Sequence, residues 1–265
     1  MGTGFDTMQL TEIRQSPYWH DQIGAPPALA ADLPAKVDVL IVGSGYTGLS
    51  AALVTARAGR STLVVDAEDP GFGCSTRNGG QISTSVKPSL EKLTEKFGAA
   101  RARGIRAEGS SALKWIGDFV AAEGLDCDFR CVGRFHAAHT PQHYETLVRD
   151  AEKMRLQEGI ESFAVPRSEQ RTQLGTDTYF GGVVFSAHCS LHPGKFHREL
   201  LRLALDAGAL VVGNCRVTYI ARQGTGFRVE TAKGSVEARD VIVATNGLYH
   251  RADAVVAAPR DPHRQ

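Results

Sequence analysis

The chain has 265 residues, with 30 Lys and Arg against 29 Asp and Glu and a formal charge of +1. That length suits one large domain or two small ones with a real core, and so even a charge balance makes no electrostatic case for nucleic acid or an anionic membrane as partner. Apolar residues at 42% and charged residues at 22% exclude a disordered chain, and no apolar run nears the roughly 20 residues of a membrane-spanning helix.

The start, Met1-Gly-Thr-Gly-Phe-Asp6, lacks the basic and apolar segments of a secretory leader. It also carries Asp6 where a myristoylation motif needs Ser or Thr. Residues 1–36 read as an N-terminal arm lying on the surface, pinned by Tyr18 and Trp19. The apolar run Val37–Val42 is of buried parallel-strand type. It meets Gly43-Ser-Gly-Tyr-Thr-Gly48, and a helix follows through Leu49, Leu53 and Ala56 to a stop at Gly59. The strand Thr62–Asp66 completes a β-α-β unit.

A long glycine-rich loop, Asp69 to Gly80, comes next, then helices over 89–97 and 100–123. From Asp126 to Ala137 the period drops to two, which predicts a strand with Cys127 and Cys131 on one face. Thr140-Pro141 opens a helix with Tyr144, Leu147, Ala151 and Met154 inward, and a strand lies near 179–186. His192-Pro193 opens another helix, ended by Gly208, with His192 as its N-cap, and Ala209–Val212 is a short strand. Val217–Ala238 reads as a β-meander with turns at Gly224–Gly226 and Lys233-Gly234. A last strand runs from Asp240 into Gly247.

The five cysteines are odd in number and contain no C-x-x-C. They read as five reduced thiols in a cytoplasmic protein. The nine histidines show no ligand spacing, so no metal is expected.

The strongest signal is the glycine fingerprint in its demanding context: buried strand before, helix after, acid at the end of the next strand. Gly43 permits the tight turn, Gly45 lets a diphosphate approach the backbone, and Gly48 lets helix and strand pack closely. The helix N-terminus offers unpaired N–H groups and partial positive charge. Asp66 lies 18 residues after Gly48, near the roughly 20-residue spacing of a carboxylate that grips ribose hydroxyls. NAD and FAD domains share these features, so the fingerprint alone leaves the dinucleotide open. The loop Gly71–Gln81, rich in donors, suits a flat polar ring system and the chain leading to it.

Four segments together, Ile41-Val-Gly-Ser-Gly-Tyr-Thr-Gly-Leu-Ser50, Gly71-Phe-Gly-Cys-Ser-Thr-Arg-Asn-Gly-Gly80, Leu191-His-Pro193 and Val243-Ala-Thr-Asn-Gly247, resemble the D-amino-acid oxidase-type FAD-dependent oxidoreductases, and among them the gamma-glutamylputrescine oxidase branch. The resemblance implies an α/β fold: a Rossmann-like FAD-binding domain (a glutathione-reductase-like sheet with a β-meander) plus a partial α+β substrate domain. The expected boundaries are 37–124 with 188–247 for FAD binding, 125–187 for the substrate domain, and an irregular tail at 248–265. The resemblance further implies non-covalent FAD and oxidation of a C–N bond of a small amine or amino acid to an imine, with hydride passing to the flavin.

Carried over by position, Gly43, Ser44, Gly45, Tyr46, Thr47 and Gly48 would line the diphosphate, and Asp66 with Ala67 the adenosine ribose. Ser75, Thr76, Arg77, Asn78, Gly79, Gly80 and Gln81 would lie along the ribityl chain and ring. Val217 would meet the adenine through its backbone, and Ala244, Thr245 and Gly247 would close under the cofactor. No catalytic acid–base pair is expected, because in such oxidations the flavin carries the chemistry. Family members continue well beyond the last strand, so the expectation is a fragment or, preferably, a shifted reading frame after residue 247. A catalytically silent relative and an NAD(P)-dependent enzyme are the alternative readings; the oligomeric state is not read.

Overall fold

Leu40, Ile41, Leu63, Val64 and Val65 are fully buried, as two short apolar strands covered on both faces should be. Each such side chain contributes roughly 2 kcal/mol of burial. These strands, β1 (Lys36–Val42) and β2 (Thr62–Val65), pair in parallel across the helix α2 (Tyr46–Arg57). The computed structural model of the chain describes residues 16–23, 29, 32–84 and 86–246. These fall into two compact units, one drawn from Met1–Arg77 with His197–Gln265 and the other from Asn78–Phe196. The second unit thus takes in 78–124 and 188–196 as well as 125–187.

In the first unit a six-stranded sheet has the order β8-β2-β1-β11-β10-β9. Its parallel part is β8 (Leu210–Val212), β2, β1 and β11 (Gly234–Val243). The antiparallel part is the meander of β9 (Val217–Gln223), β10 (Gly226–Thr231) and β11. The meander's third strand and the last strand, expected as separate elements around 238–240, are one continuous ten-residue strand. It pairs antiparallel with β10 through Gly234–Ala238 and parallel with β1 through Glu237–Val243. Val37, Leu40, Leu63, Val212, Ile220, Val229 and Val236 form the core under this sheet.

Among its described residues the arm holds one helical turn, α1 (His20–Ile23), and Tyr18 is 66% exposed. Tyr18 and Trp19 contact each other edge-on, 5.3 Å apart. Arg198 tethers this segment, its guanidinium donating to the Ile23 carbonyl.

The second unit carries a three-stranded antiparallel sheet, β4 (Arg134–Ala137), β6 (Gly182–Phe185) and β5 (Ser162–Val165), in the order β4-β6-β5. The two-residue strands β3 (Gln81–Ile82) and β7 (Cys189–Ser190) pair separately. Helix α5 (Pro141–Glu158) starts at Thr140, whose hydroxyl accepts from the His143 amide, and packs Leu147, Ala151 and Met154 on the sheet. Helices α3 (Leu90–Phe97) and α4 (Ala99–Ala122) follow the expected spans to within a residue. An almost buried pair, Arg106 to both oxygens of Glu158 at 2.7 and 3.0 Å, joins α4 to α5.

Two expectations fail here. The strand predicted over 126–137 is regular only from Arg134. Asp128 has φ 52° and Gly133 φ 78°, left-handed values that an extended run cannot contain. The five thiols are not all free: Cys131 and Cys189 form a disulfide. Arg130 and Ser190 exchange both backbone hydrogen bonds at 2.8 Å, so Cys131 and Cys189 fall on adjacent, closely facing positions with Cα atoms 4.0 Å apart. The cysteine count therefore no longer argues for a reducing compartment. The expectations for residues 1–15, Gly247 and the tail 248–265 fall outside the described residues.

Candidate functional site

β1 ends at Val42, and the chain reverses into α2 through a turn that excludes side chains. Gly43 adopts φ 105°, and a Cβ there would stand 2.7 Å from the Ala244 carbonyl oxygen. At Gly48 a Cβ would stand 1.8 Å from the Gly43 carbonyl oxygen. Only glycine satisfies both positions, so turn and helix start are close-packed by sequence.

Helix α2 begins after Gly45, which supplies no side-chain cap, and its first turn holds no acidic residue. The first-turn N–H groups have no carbonyl four residues back to bond. One of them, Tyr46 N–H, donates to Ser75 Oγ at 3.0 Å. A positive helix end with no acidic residue in its own first turn, reached through a glycine turn, is a donor set that suits a diphosphate.

Ser44 is wholly buried and anchored on three sides. Its amide and hydroxyl both donate to Asp66 Oδ2, at 2.7 and 2.6 Å. Its carbonyl faces His197 Nε2 at 2.8 Å. Asp66 Oδ1 accepts from the Glu68 amide at 3.1 Å. The carboxylate expected to grip a ribose therefore already organises the turn, while Oδ1 keeps a second lone pair for a sugar hydroxyl.

Sequence reasoning missed His197. It lies on α6 (Pro193–Asp206), inside a helical apolar pattern that treated the position as filler, and the side chain is 4% exposed. Burial holds its pKa below the ordinary histidine value, against the opposing hydrogen bond to Ser44. The ring is therefore neutral, and the nitrogen facing a carbonyl must carry the proton. Gly71 (φ 84°) lies against the same ring; a Cβ there would meet it at 2.7 Å. No short motif encodes a contact spanning 153 positions.

Of the remaining expected residues in the first unit, Ala67 is half-buried beside Asp66. Ser75 and Thr76 sit in a one-turn 3-10 helix, Cys74–Thr76, with the Thr76 hydroxyl donating to the Gly71 carbonyl. Arg77 folds back on its own loop, its Nε donating to the Phe72 carbonyl at 2.7 Å and its guanidinium 4.5 Å over the Phe72 ring. Ala244 follows β11 and donates to Val42 at 2.8 Å, which brings the 244–245 segment to the Gly43 turn. Thr47 is exposed. Val217 opens β9 and packs on the core under the sheet. Asn78, Gly79, Gly80 and Gln81 belong to the second unit, where the Asn78 side chain accepts from Gly80 and Gly80 packs on the Leu191 carbonyl. His192, also in that unit, caps α6: its Nδ1 accepts from the Lys195 amide at 3.1 Å.

No helix among the described residues is long and apolar enough to cross a membrane. Residues 38–263 match the family described as FAD dependent oxidoreductase. Gamma-glutamylputrescine oxidoreductase of Escherichia coli (strain K12) is 32% identical over 215 residues, covering 79% of this chain and 49% of that protein. A probable oxidoreductase, OrdL, of Rhizobium meliloti (strain 1021) is 29% identical over 230 residues, covering 86% and 54%. The chain thus spans about half the length of the curated relatives it matches.

Among solved structures, glycine oxidase from Geobacillus kaustophilus superposes with TM-score 0.65 at 19% identity, covering 80% of this chain and 55% of that one. An FAD-bound L-alpha-glycerophosphate oxidase from Mycoplasma pneumoniae gives 0.67 at 18%, covering 83% and 57%. At those identities the likeness establishes the shared α/β fold. The family match favours FAD over the nicotinamide alternative, and the glycine turn, the helix start without acidic residues and Asp66 fit its diphosphate and ribose. The chain belongs to the FAD dependent oxidoreductase (DAO) family, with FAD as its cofactor.

Proposed function

We propose that the chain holds FAD non-covalently and carries the cofactor half of an enzyme that oxidises a C–N bond of a small amine or amino acid to an imine. The observation that supports this best is the start of α2, with no acidic residue in its first turn, set between the Gly43 turn and Asp66 at the end of β2. In this reading Gly43–Gly48 take the diphosphate, Asp66 and Ala67 the adenosine ribose, and Ser75–Gln81 the ribityl chain and ring. Val217 offers backbone to the adenine, and Ala244, Thr245 and Gly247 close under the cofactor. Bound FAD supplies the acceptor for a hydride; the protein orients the two reactants and excludes water. The second unit, 125–187 above all, contributes substrate-binding surface.

The substrate class follows from relatives named for gamma-glutamylputrescine and glycine. The test is direct. The purified chain should be yellow, or become so with added FAD, and should release free flavin on denaturation. It should then bleach anaerobically with gamma-glutamylputrescine or glycine as trial substrates. Uptake of NADH with no flavin binding would overturn the cofactor assignment; stable flavin that no amine or amino acid reduces would overturn the reaction.

A further inference from the structure

Three hydrogen bonds fix Ser44. Two run from its amide and hydroxyl to Asp66 Oδ2 and constrain the amide and side chain. The third, from His197 Nε2–H to the Ser44 carbonyl, constrains the peptide plane that leads into the helix. In a trans peptide the carbonyl and the next N–H point in opposite directions. Holding the Ser44 carbonyl toward His197 therefore turns the Gly45 N–H away from the core, at the start of α2. Glycine is the residue least able to hold that plane by itself, because it has no Cβ to restrict its dihedrals.

The ring is in turn held in place. It is buried, it lies against Gly71 where no side chain fits, and the Tyr46 ring stands tilted 6.3 Å away. His197 thereby ties the 43–48 turn, assigned to the diphosphate, to Gly71 at the start of the loop whose residues from Ser75 onward are assigned to the adjoining ribityl chain. Its neighbours on α6, Phe196, Leu200 and Leu201, are apolar and buried, so shape alone gives no reason for an imidazole here.

We infer that His197 is a positioning residue for the diphosphate of FAD, acting through the Ser44–Gly45 peptide without touching the cofactor. The inference rests on the reading of the 43–48 turn as the diphosphate site. Removing the donor frees the plane and leaves a buried carbonyl unsatisfied, while the fold, carried by the β1–β2–β11 sheet, stays intact.

The test compares His197→Phe, which keeps a flat ring and loses the donor, with His197→Gln, which keeps an N–H donor. Flavin fluorescence gives the dissociation constant for FAD, and amide hydrogen exchange of the cofactor-free chain reads the turn directly. His197→Phe should weaken FAD binding about tenfold, the usual worth of one buried hydrogen bond with an orphaned partner. It should also speed exchange at 43–48 while β1, β2 and β11 stay protected. His197→Gln should restore both to within about threefold. Equal affinity for wild type and His197→Phe would overturn the inference. So would faster exchange spread evenly over the sheet, since that marks a packing role. If the wild type takes up no FAD, the cofactor reading falls, and the clamp stands or falls on exchange at 43–48 alone.

Discussion

Two buried polar corners, one in each unit, are built in opposite ways. Around Ser44, amide, hydroxyl and carbonyl each have a partner within 2.8 Å, and the carboxylate that takes two of them accepts a third donor from Glu68. Around Phe185 in the second unit, Arg134 and His188 pack on the same ring, at 5.4 and 5.0 Å. There Arg134 Nε and His188 Nδ1 are buried with no hydrogen-bond partner among the described residues. Burial, and the nearby Arg134 charge, push the His188 pKa down to about 4. A satisfied network in low dielectric fixes one geometry; an unsatisfied one leaves it costly and open. The first corner is a rigid platform; in the second, His188 Nε2 is held by Thr84, while Arg134 Nε and His188 Nδ1 carry a burial cost with no partner among the described residues to offset it.

Substitutions on either side sharpen that contrast. Gly48→Ala puts a methyl 1.8 Å from a backbone oxygen, which backbone packing cannot relieve cheaply. It should destabilise by more than about 4 kcal/mol and abolish soluble folded protein, checked by thermal melting. Asp66→Ala strips the acceptor from Ser44 and Glu68 together; a loss of about 3 kcal/mol is expected, with FAD binding lost as well, read by denaturant titration and flavin fluorescence.

The pH response should come from the histidines. His188 and His197 both have depressed folded values. Their stability contribution is full above about pH 6.5, the ordinary histidine value, and is lost as the pH falls. For His188 the window runs from about 6.5 down to about 4. Melting temperature should drop across that window, and His188→Phe should flatten the drop. Arg134→Met should show the smallest effect: it removes a guanidinium whose buried Nε has no acceptor among the described residues, so stability should hold or rise by up to about 1 kcal/mol. A large loss in that variant would mean that Arg134 has an acceptor and that the contrast between the corners is wrong.

Much of the site was legible because its chemistry is local. The Gly43–Gly48 fingerprint, the flanking apolar strands and the acid at Asp66 lie within one β-α-β unit, where spacing along the chain becomes spacing in space. Thr140-Pro141 was readable as a helix start, and His192 as a helix cap, for the same reason. The meander was readable from its glycine turns, but its fusion with the last strand was not. Only pairing with β10 on one side and β1 on the other extends β11 across the point where the patterns meet. The Cys131–Cys189 disulfide escaped because Asp128 and Gly133 break the apparent strand and an antiparallel bridge from a distant segment sets the pairing.

From sequence alone came the fold class, the family and a close-packed glycine turn of the kind that suits a dinucleotide, because side-chain volume and backbone freedom act between near neighbours. Tertiary structure alone decided how that turn is held. Asp66 and Ser44 meet across two parallel strands, and His197 reaches the same serine from a helix 153 residues further on. Such contacts depend on which elements the sheet order places side by side, and no periodicity in the chain records that order.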